Sequence, residues 1–269
     1  MWALTLAAVS GPAAAHEAAA GSGSLLAAGL WLTIAAFYAA GIGRLWRRAG
    51  VGRGVGGARV AAFAAGWGAL GVALVSPLDA AGETSLAAHM VQHMLLLAVA
   101  PPLLLAGLPA AVLPRILPAR VARGAARVWR AVGGLGAAAV AHAIVLWGWH
   151  APAAIAWSLR VDAVHWAMHA SFLVAGLWFW HALWRSARGG VAIAVTMAHM
   201  GLLAALLTLS PRAWYADYPA LADQQLAGLI MWVPGSAPYL IGGLVLAAAW
   251  FRRTDRSVAD RTYTARGGS

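Results

Sequence analysis

Seven long stretches without any Asp, Glu, Lys or Arg constrain this chain more than any other feature of its sequence. About 20 apolar residues cross a bilayer as an α-helix, and a helix satisfies its own backbone hydrogen bonds in lipid. Only 10% of the residues are charged, whereas a soluble domain carries roughly a quarter. The charge-free stretches are residues 18–43, 60–78, 84–114, 131–159, 163–184, 189–211 and 224–251. They predict an all-α, polytopic membrane protein, a bundle of seven transmembrane helices near residues 25–46, 58–76, 84–107, 132–150, 162–184, 190–210 and 224–250.

The positive charge lies in alternate connections between these predicted helices. The basic connections hold Arg44, Arg47, Arg48, Arg53 and Arg59, then Arg115, Arg120, Arg123, Arg127 and Arg130, then Arg185 and Arg188. Because arginine-rich connections stay in the cytoplasm, the N-terminus is predicted outside and the C-terminus inside, with residues 252–269 as a cytoplasmic basic tail. The net charge of +11 therefore reports topology in a protein surrounded by membrane lipid, and no nucleic-acid partner is expected.

The domain organisation is simple apart from the N-terminus. Residues 16–251 are interpreted as one membrane domain. Residues 1–15 are either a signal peptide or an outer tail, since they are apolar and end in three alanines but lack a charged start. Cleavage after Ala15 would make His16 the first residue. Within 118–131, four arginines at helical spacing predict either a short helix on the membrane surface or a basic loop.

Histidines are the most informative polar residues in the predicted spans, because ionisable groups in a membrane are costly and usually functional. His89 and His93 are four residues apart, so they lie on one helix face, and the same holds for His165 and His169. Both pairs fall in the outer half of the membrane, and His150 ends the fourth predicted helix on the same side. Two pairs facing each other would supply four imidazoles, which predicts a metal site.

The available ligand types narrow the choice of metal. Imidazole suits copper, zinc and iron, and thioether favours Cu(I), so these three metals stay open from the residues, with Cu(I) the ion that a methionine ligand would favour. Acidic side chains at the outer mouth, Asp79 among them, could attract a cation. Further ligands are drawn from Met90, Met94, His142, His199, Asp223 and His16. The alternative is that these residues only pack or hydrogen-bond between helices.

Several kinds of chemistry have no residues to support them. The chain has no cysteine, which excludes disulfides, thiolate metal sites and a cysteine nucleophile. HExxH, GxSxG and P-loop motifs do not occur. The protein is therefore not expected to be an enzyme.

Four segments carry a resemblance to a known family. They are SPLDAAGETSLAAHMVQHMLLLAVAPPLLLAG (76–107), WGWHAP (147–152), DAVHWAMHASFLVAGLWFW (162–180) and DQQLAGLIMWVPG (223–235). Together they resemble the multi-pass CtaG family of cytochrome c oxidase assembly factors. The resemblance implies a seven-helix protein of the bacterial plasma membrane that serves maturation of a haem-copper oxidase at its copper centre. The positions that match the family are His89, His93, His150, His165, His169 and Asp223.

Four functions remain open from the residues alone. The first is an assembly factor that binds copper in the outer half of the membrane and gives it to oxidase subunit I. The second is a copper transporter, in which His142, His199 and His181 extend a path inward. The third is a haem protein with axial histidines from helices three and five. The fourth is a scaffold in which the histidines only tie helices together.

Overall fold

The computed structural model describes residues 12–107 and 134–266, with residues 120, 123, 124 and 127 of the segment between them. Every regular element in these residues is helical, as predicted. The helices are α1 (Pro12–Ala49), α2 (Gly57–Leu74), α3 (Leu78–Thr84), α4 (Leu86–Met94), α5 (Ala100–Gly107), α6 (Leu135–Trp149), α7 (Pro152–Arg160), α8 (Asp162–Trp184), α9 (Gly189–Leu209), α10 (Leu221–Trp232) and α11 (Ala237–Arg266). The predictions for residues 1–15 and 118–131 lie largely outside the described residues.

Five helical segments in the described part of the chain are long and apolar enough to cross a membrane. They are Ala28–Ala49, Gly57–Leu74, Leu86–Gly107, Gly189–Leu209 and Leu221–Arg252. Helices α6 and α7, which meet at 74°, add a sixth if they form one broken span. Helix α8 has 23 residues, but its histidines and tryptophans make it less apolar than the five. A multi-helix membrane protein is thus supported, while the count of seven and the orientation of the termini stay predictions.

The third predicted span, near 84–107, is one helical segment, Leu86–Gly107, with a π-helical turn inside it. It starts at Leu86, because Ser85 is extended (φ −129°, ψ 120°) and its hydroxyl accepts from the Ala88 amide. Residues Leu95–Val99 form a π-helical turn in which the Ala100 amide donates to the Leu95 carbonyl. The cause lies just beyond, where Pro101 and Pro102 lack the amide protons that an α-helical ladder needs. Such π turns often accompany functional sites.

The last predicted span is broken near its middle. Helix α10 ends at Trp232, a 3-10 turn covers Pro234–Ser236, and α11 begins at Ala237. Pro234 cannot donate to the preceding turn. At the other end of the chain, α1 begins at Pro12 and not near residue 25.

Glycines allow the helices that carry the candidate site to approach closely, as is common in membrane bundles. Gly176 in α8 packs against the π turn, where an added Cβ would lie 2.7 Å from the Leu97 carbonyl oxygen. Trp180, one turn later, donates to that same oxygen at 3.3 Å. Gly228 in α10 packs on α9, where a Cβ would lie 2.7 Å from the Ala204 carbonyl oxygen. Helix α10 also packs on α4, so these contacts hold α4, α8 and α10 together.

Candidate metal centre

The two predicted histidine pairs lie on facing sides of α4 and α8. The ring centroids of His89 and His93 are 4.3 Å apart, and those of His165 and His169 are also 4.3 Å apart. This spacing follows from the i,i+4 positions on each helix. His89 and His93 are fully buried and His169 is 2% exposed. The helix faces that carry the pairs are therefore turned into the bundle and away from lipid.

The structure brings the pairs together. The His89 ring lies 6.3 Å from His165 and 6.4 Å from His169, and His93 lies 6.2 Å from His169. Both nitrogens of His93 and both of His169 have no hydrogen-bond partner among the described residues. A buried polar atom without a partner costs about 1–3 kcal/mol. These four nitrogens are therefore candidate ligands for a cation.

His150, the residue that follows α6, places a nitrogen beside a sulfur. Its ring lies 5.6 Å from that of His93. Nδ1 lies 2.6 Å from the Leu146 carbonyl oxygen, to which it donates. The residue is neutral because charge is costly at a buried membrane position, and a neutral imidazole has one N–H. Nε2 therefore carries a lone pair 3.1 Å from the Met90 sulfur. A soft cation would satisfy both atoms.

Asp79, in α3, brings a carboxylate to the same place. Ligand atoms of Asp79, His165 and His169 all lie within 4.8 Å of one another. The Asp79 Oδ1 lies 3.3 Å from His165 Nε2 and accepts from Gln92 Nε2 at 2.8 Å. Burial raises the pKa of this carboxyl, but the hydrogen bonds from His165 and Gln92 outweigh burial and lower the pKa below its usual value. The group is thus ionised and suited to bind a cation. The sequence predicted it only as an attracting charge.

Two tyrosines that the sequence analysis did not single out tie the connection between α9 and α10 to these residues. Tyr215 donates to the His150 carbonyl oxygen at 2.9 Å, and Tyr218 donates to the Gly82 carbonyl oxygen. The Tyr218 ring lies 6.2 Å from that of His89. Burial raises the pKa of both hydroxyls, so they stay protonated donors.

We call His89, His93, His150, His165 and His169 the histidine cluster.

Comparison with known families agrees with this arrangement. The family described as cytochrome c oxidase caa3 assembly factor (Caa3_CtaG) matches residues 36–253, which is most of the chain. This protein belongs to that family. The matched range includes the whole histidine cluster and Asp79. No curated protein and no solved structure matches the chain. The family resemblance of the histidine and DQQLAG segments is thereby confirmed.

In this assembly factor, the structure gives Asp223 a different role from the additional ligand that was predicted. Its carboxylate accepts from the Ser85 hydroxyl at 2.8 Å, from the Leu86 amide at 2.6 Å and from the Ala87 amide at 3.3 Å. These donors form the first turn of α4, whose free amides need acceptors. Asp223 therefore caps the helix that carries His89 and His93, and it joins α10 to that helix.

Loss of this cap has a testable effect. Asp223→Ala is expected to lower the stability of the purified protein by about 1–2 kcal/mol, because the first turn of α4 loses its acceptor. Thermal unfolding in mild detergent measures the change. Asp217→Ala is the matched control, since the Asp217 carboxylate lies 4.0 Å from the exposed Arg160 and caps no helix among the described residues. Equal melting temperatures for the two variants would contradict the role of Asp223.

The other predicted ligands fall in different places. Met94 is buried, and its sulfur lies against Gly235 of the 3-10 turn. His142 and His199 form a separate pair, with ring centroids 5.8 Å apart. The side chain of His16 lies outside the described part of the chain. The structure thus joins five of the predicted histidines with Met90 and sets His142 and His199 apart.

Proposed function

We propose that this assembly factor binds copper as Cu(I) in the histidine cluster and supplies it to subunit I of a cytochrome c oxidase. It acts as a metallochaperone and not as an enzyme, in the plasma membrane of a bacterium. The observation that carries the proposal is the pair of lone-pair donors formed by His150 Nε2 and Met90 Sδ, 3.1 Å apart. Imidazole together with thioether is a ligand set that favours Cu(I) over harder ions.

The surrounding residues favour a bare ion over a haem. Rings within the cluster are separated by 4.3–6.4 Å, and Phe172 lies 4.1 Å from His93. Two axial histidines on one iron would fit such separations, but the porphyrin around the iron also needs an open slot, and the close packing of Phe172 on His93 leaves none beside that ring. A single cation needs only two to four nitrogen and sulfur atoms around it. The cluster therefore supports copper ahead of the haem alternative.

Asp79, His165 and His169 suggest how the ion would arrive and leave. Side chains of Asp79 and His165 are 31% and 13% exposed, whereas His89 and His93 are fully buried. The charged carboxylate attracts a cation to the more accessible side of the cluster. An ion would then exchange ligands between this side and the buried nitrogen and sulfur atoms. Such stepwise exchange would let the protein release its copper to a partner.

The predicted topology supports a site on the outer face. Arg44, Arg47 and Arg48 end α1, and Arg185 and Arg188 lie between α8 and α9. The cluster lies towards the start of α8, whereas Arg185 follows its end. With the arginines in the cytoplasm, the cluster would face the outside. Copper would then be delivered to the oxidase from that side.

The sulfur ligand gives a selective test. Met90→Leu keeps the volume of the side chain but removes the thioether, so it is expected to weaken Cu(I) binding about tenfold while Zn²⁺ binding changes little. Competition titration with a Cu(I) chelator under anaerobic conditions, beside a Zn²⁺ titration, measures both affinities. Met197→Leu, on α9, is the matched control. An unchanged Cu(I) affinity in Met90→Leu would contradict the proposed ligand set.

A further inference from the structure

A second group of buried polar atoms lies outside the histidine cluster. His142 in α6 is fully buried, and its ring centroid lies 5.8 Å from that of His199 in α9. We call these two residues the deep pair. His142 Nδ1 and both ring nitrogens of His199 are buried without a hydrogen-bond partner among the described residues. The Thr196 hydroxyl, one turn before His199, is also buried without a hydrogen-bond partner among the described residues. Four atoms without partners need an occupant.

Tyr239 contacts one of the two ring nitrogens of His142. The Tyr239 hydroxyl lies 2.8 Å from His142 Nε2, and both residues are fully buried. In the tautomer whose Nε2–H donates to the tyrosine oxygen, Nδ1 carries a free lone pair. Histidines that bind metal characteristically use one nitrogen for the ion and donate from the other to an oxygen. The contact between His142 and Tyr239 has this form.

The chemistry of the pair selects the class of ligand. None of the hydrogen bonds that the structure shows joins a carboxylate to either imidazole. Two neutral imidazoles would leave the full charge of a divalent ion uncompensated in the membrane, where charge is costly. A monovalent ion halves that charge, and imidazole is a good ligand for copper. Two nitrogens on one ion lie about 4 Å apart, since each bond is about 2 Å. Ring centroids at 5.8 Å accommodate that distance.

We propose that the deep pair is a second binding site for a soft monovalent cation, Cu(I), separate from the histidine cluster. His142 lies eight residues before His150, at the end of α6, so the two sites are about 12 Å apart along the helix axis. Two aromatic rings of α8 lie between the histidine cluster and the deep pair. Phe172 lies 4.1 Å from His93, and Phe179 lies 5.0 Å from His142. The proposal rests on the proposed function for the identity of the ion.

A second site has a functional consequence. An ion held by the buried ring nitrogens of His142 and His199 would be retained when the histidine cluster gives up its copper. The deep pair would then store one ion beneath the site of delivery. A copper transporter would use the same pair as a step across the membrane, so the deep pair bears on both functions.

Counting bound ions tests the proposal. The full-length protein in mild detergent is titrated anaerobically with Cu(I) in the presence of a competing chelator. His142→Ala with His199→Ala is expected to bind one equivalent fewer than the wild type. His89→Ala with His93→Ala is expected to keep the equivalent held by the deep pair. His181→Ala, another membrane histidine, is the control and should bind as the wild type does.

A milder variant guards against loss of fold. Tyr239→Phe keeps both imidazoles and removes only the oxygen that orients His142, so the deep equivalent should remain with an affinity lowered about tenfold. If His142→Ala with His199→Ala binds as many ions as the wild type, the proposal is overturned and the deep pair holds water. If the wild type binds no ion at all, the proposed function fails together with it. If only the cluster binds copper, the proposed function stands alone.

Discussion

Cells whose only copy of this assembly factor carries His93→Ala are expected to lose most of their cytochrome c oxidase activity, about tenfold or more. His93 is the centre of the histidine cluster, because its ring lies within 6.2 Å of those of His89, His150 and His169. Its loss removes the buried imidazole that lies beside three others, which leaves the cluster with fewer nitrogen ligands. Oxidase activity of isolated membranes measures the effect, together with the copper content of the purified oxidase.

Two controls separate copper supply from protein loss. His181→Ala removes another membrane histidine and should leave oxidase activity near the wild-type level. An immunoblot shows whether the His93→Ala protein accumulates normally in the membrane. Excess copper in the medium should restore part of the activity, because a weakened site fills at a higher ion concentration. Full activity in cells with normal levels of the His93→Ala protein and no added copper would argue against a role for the cluster in copper supply.

Much of the candidate site can be predicted from the sequence. Two i,i+4 histidine pairs define two helix faces by themselves. The charge-free stretches place both pairs at the same depth, and the short connection before α8 puts His150 at that depth as well. The cluster thus follows from the periodicity of a helix and the thickness of a bilayer.

The contribution of Asp79 could not be predicted in this way. Asp79 lies in α3, a helix of seven residues, and reaches His165 only because of how that helix turns before α4. Gln92, buried between Asp79 and the Ala73 carbonyl oxygen, fixes that position. A contact of this kind depends on tertiary packing that has no periodic signal in the sequence.

The role of Asp223 was missed for a related reason. A carboxylate beside a predicted metal site is easily interpreted as a ligand. The sequence does not show that α4 begins at Leu86, whose amide donates to Asp223. Ser85 alone hints at that start, since serine favours the position before a helix. The DQQLAG segment is explained once the structure is known. Asp223 caps α4, Gln224 accepts from the Trp214 amide at 2.7 Å, and Gly228 lets α10 approach α9.

The irregular turns inside the third and the last predicted spans were only partly predictable from the sequence. Pro234 indicates an interrupted helix because a proline inside a helix removes one hydrogen bond. Pro101 and Pro102 also lack amide protons, and the structure has a π turn directly before them. Within that turn, the Leu97 carbonyl oxygen accepts a hydrogen bond from Trp180 of α8. Such a contact comes from another helix and is not visible locally.

The most direct test is the metal content of the protein itself. We would purify the wild type and the His89→Ala/His93→Ala variant in mild detergent, from cells grown with copper, and determine copper, zinc and iron by elemental analysis. A circular dichroism spectrum and a melting curve show that the variant is folded. We expect about one equivalent of copper more in the wild type than in the folded variant. Iron in place of copper would point to a haem protein, and equal copper in both proteins would contradict a copper site in the histidine cluster.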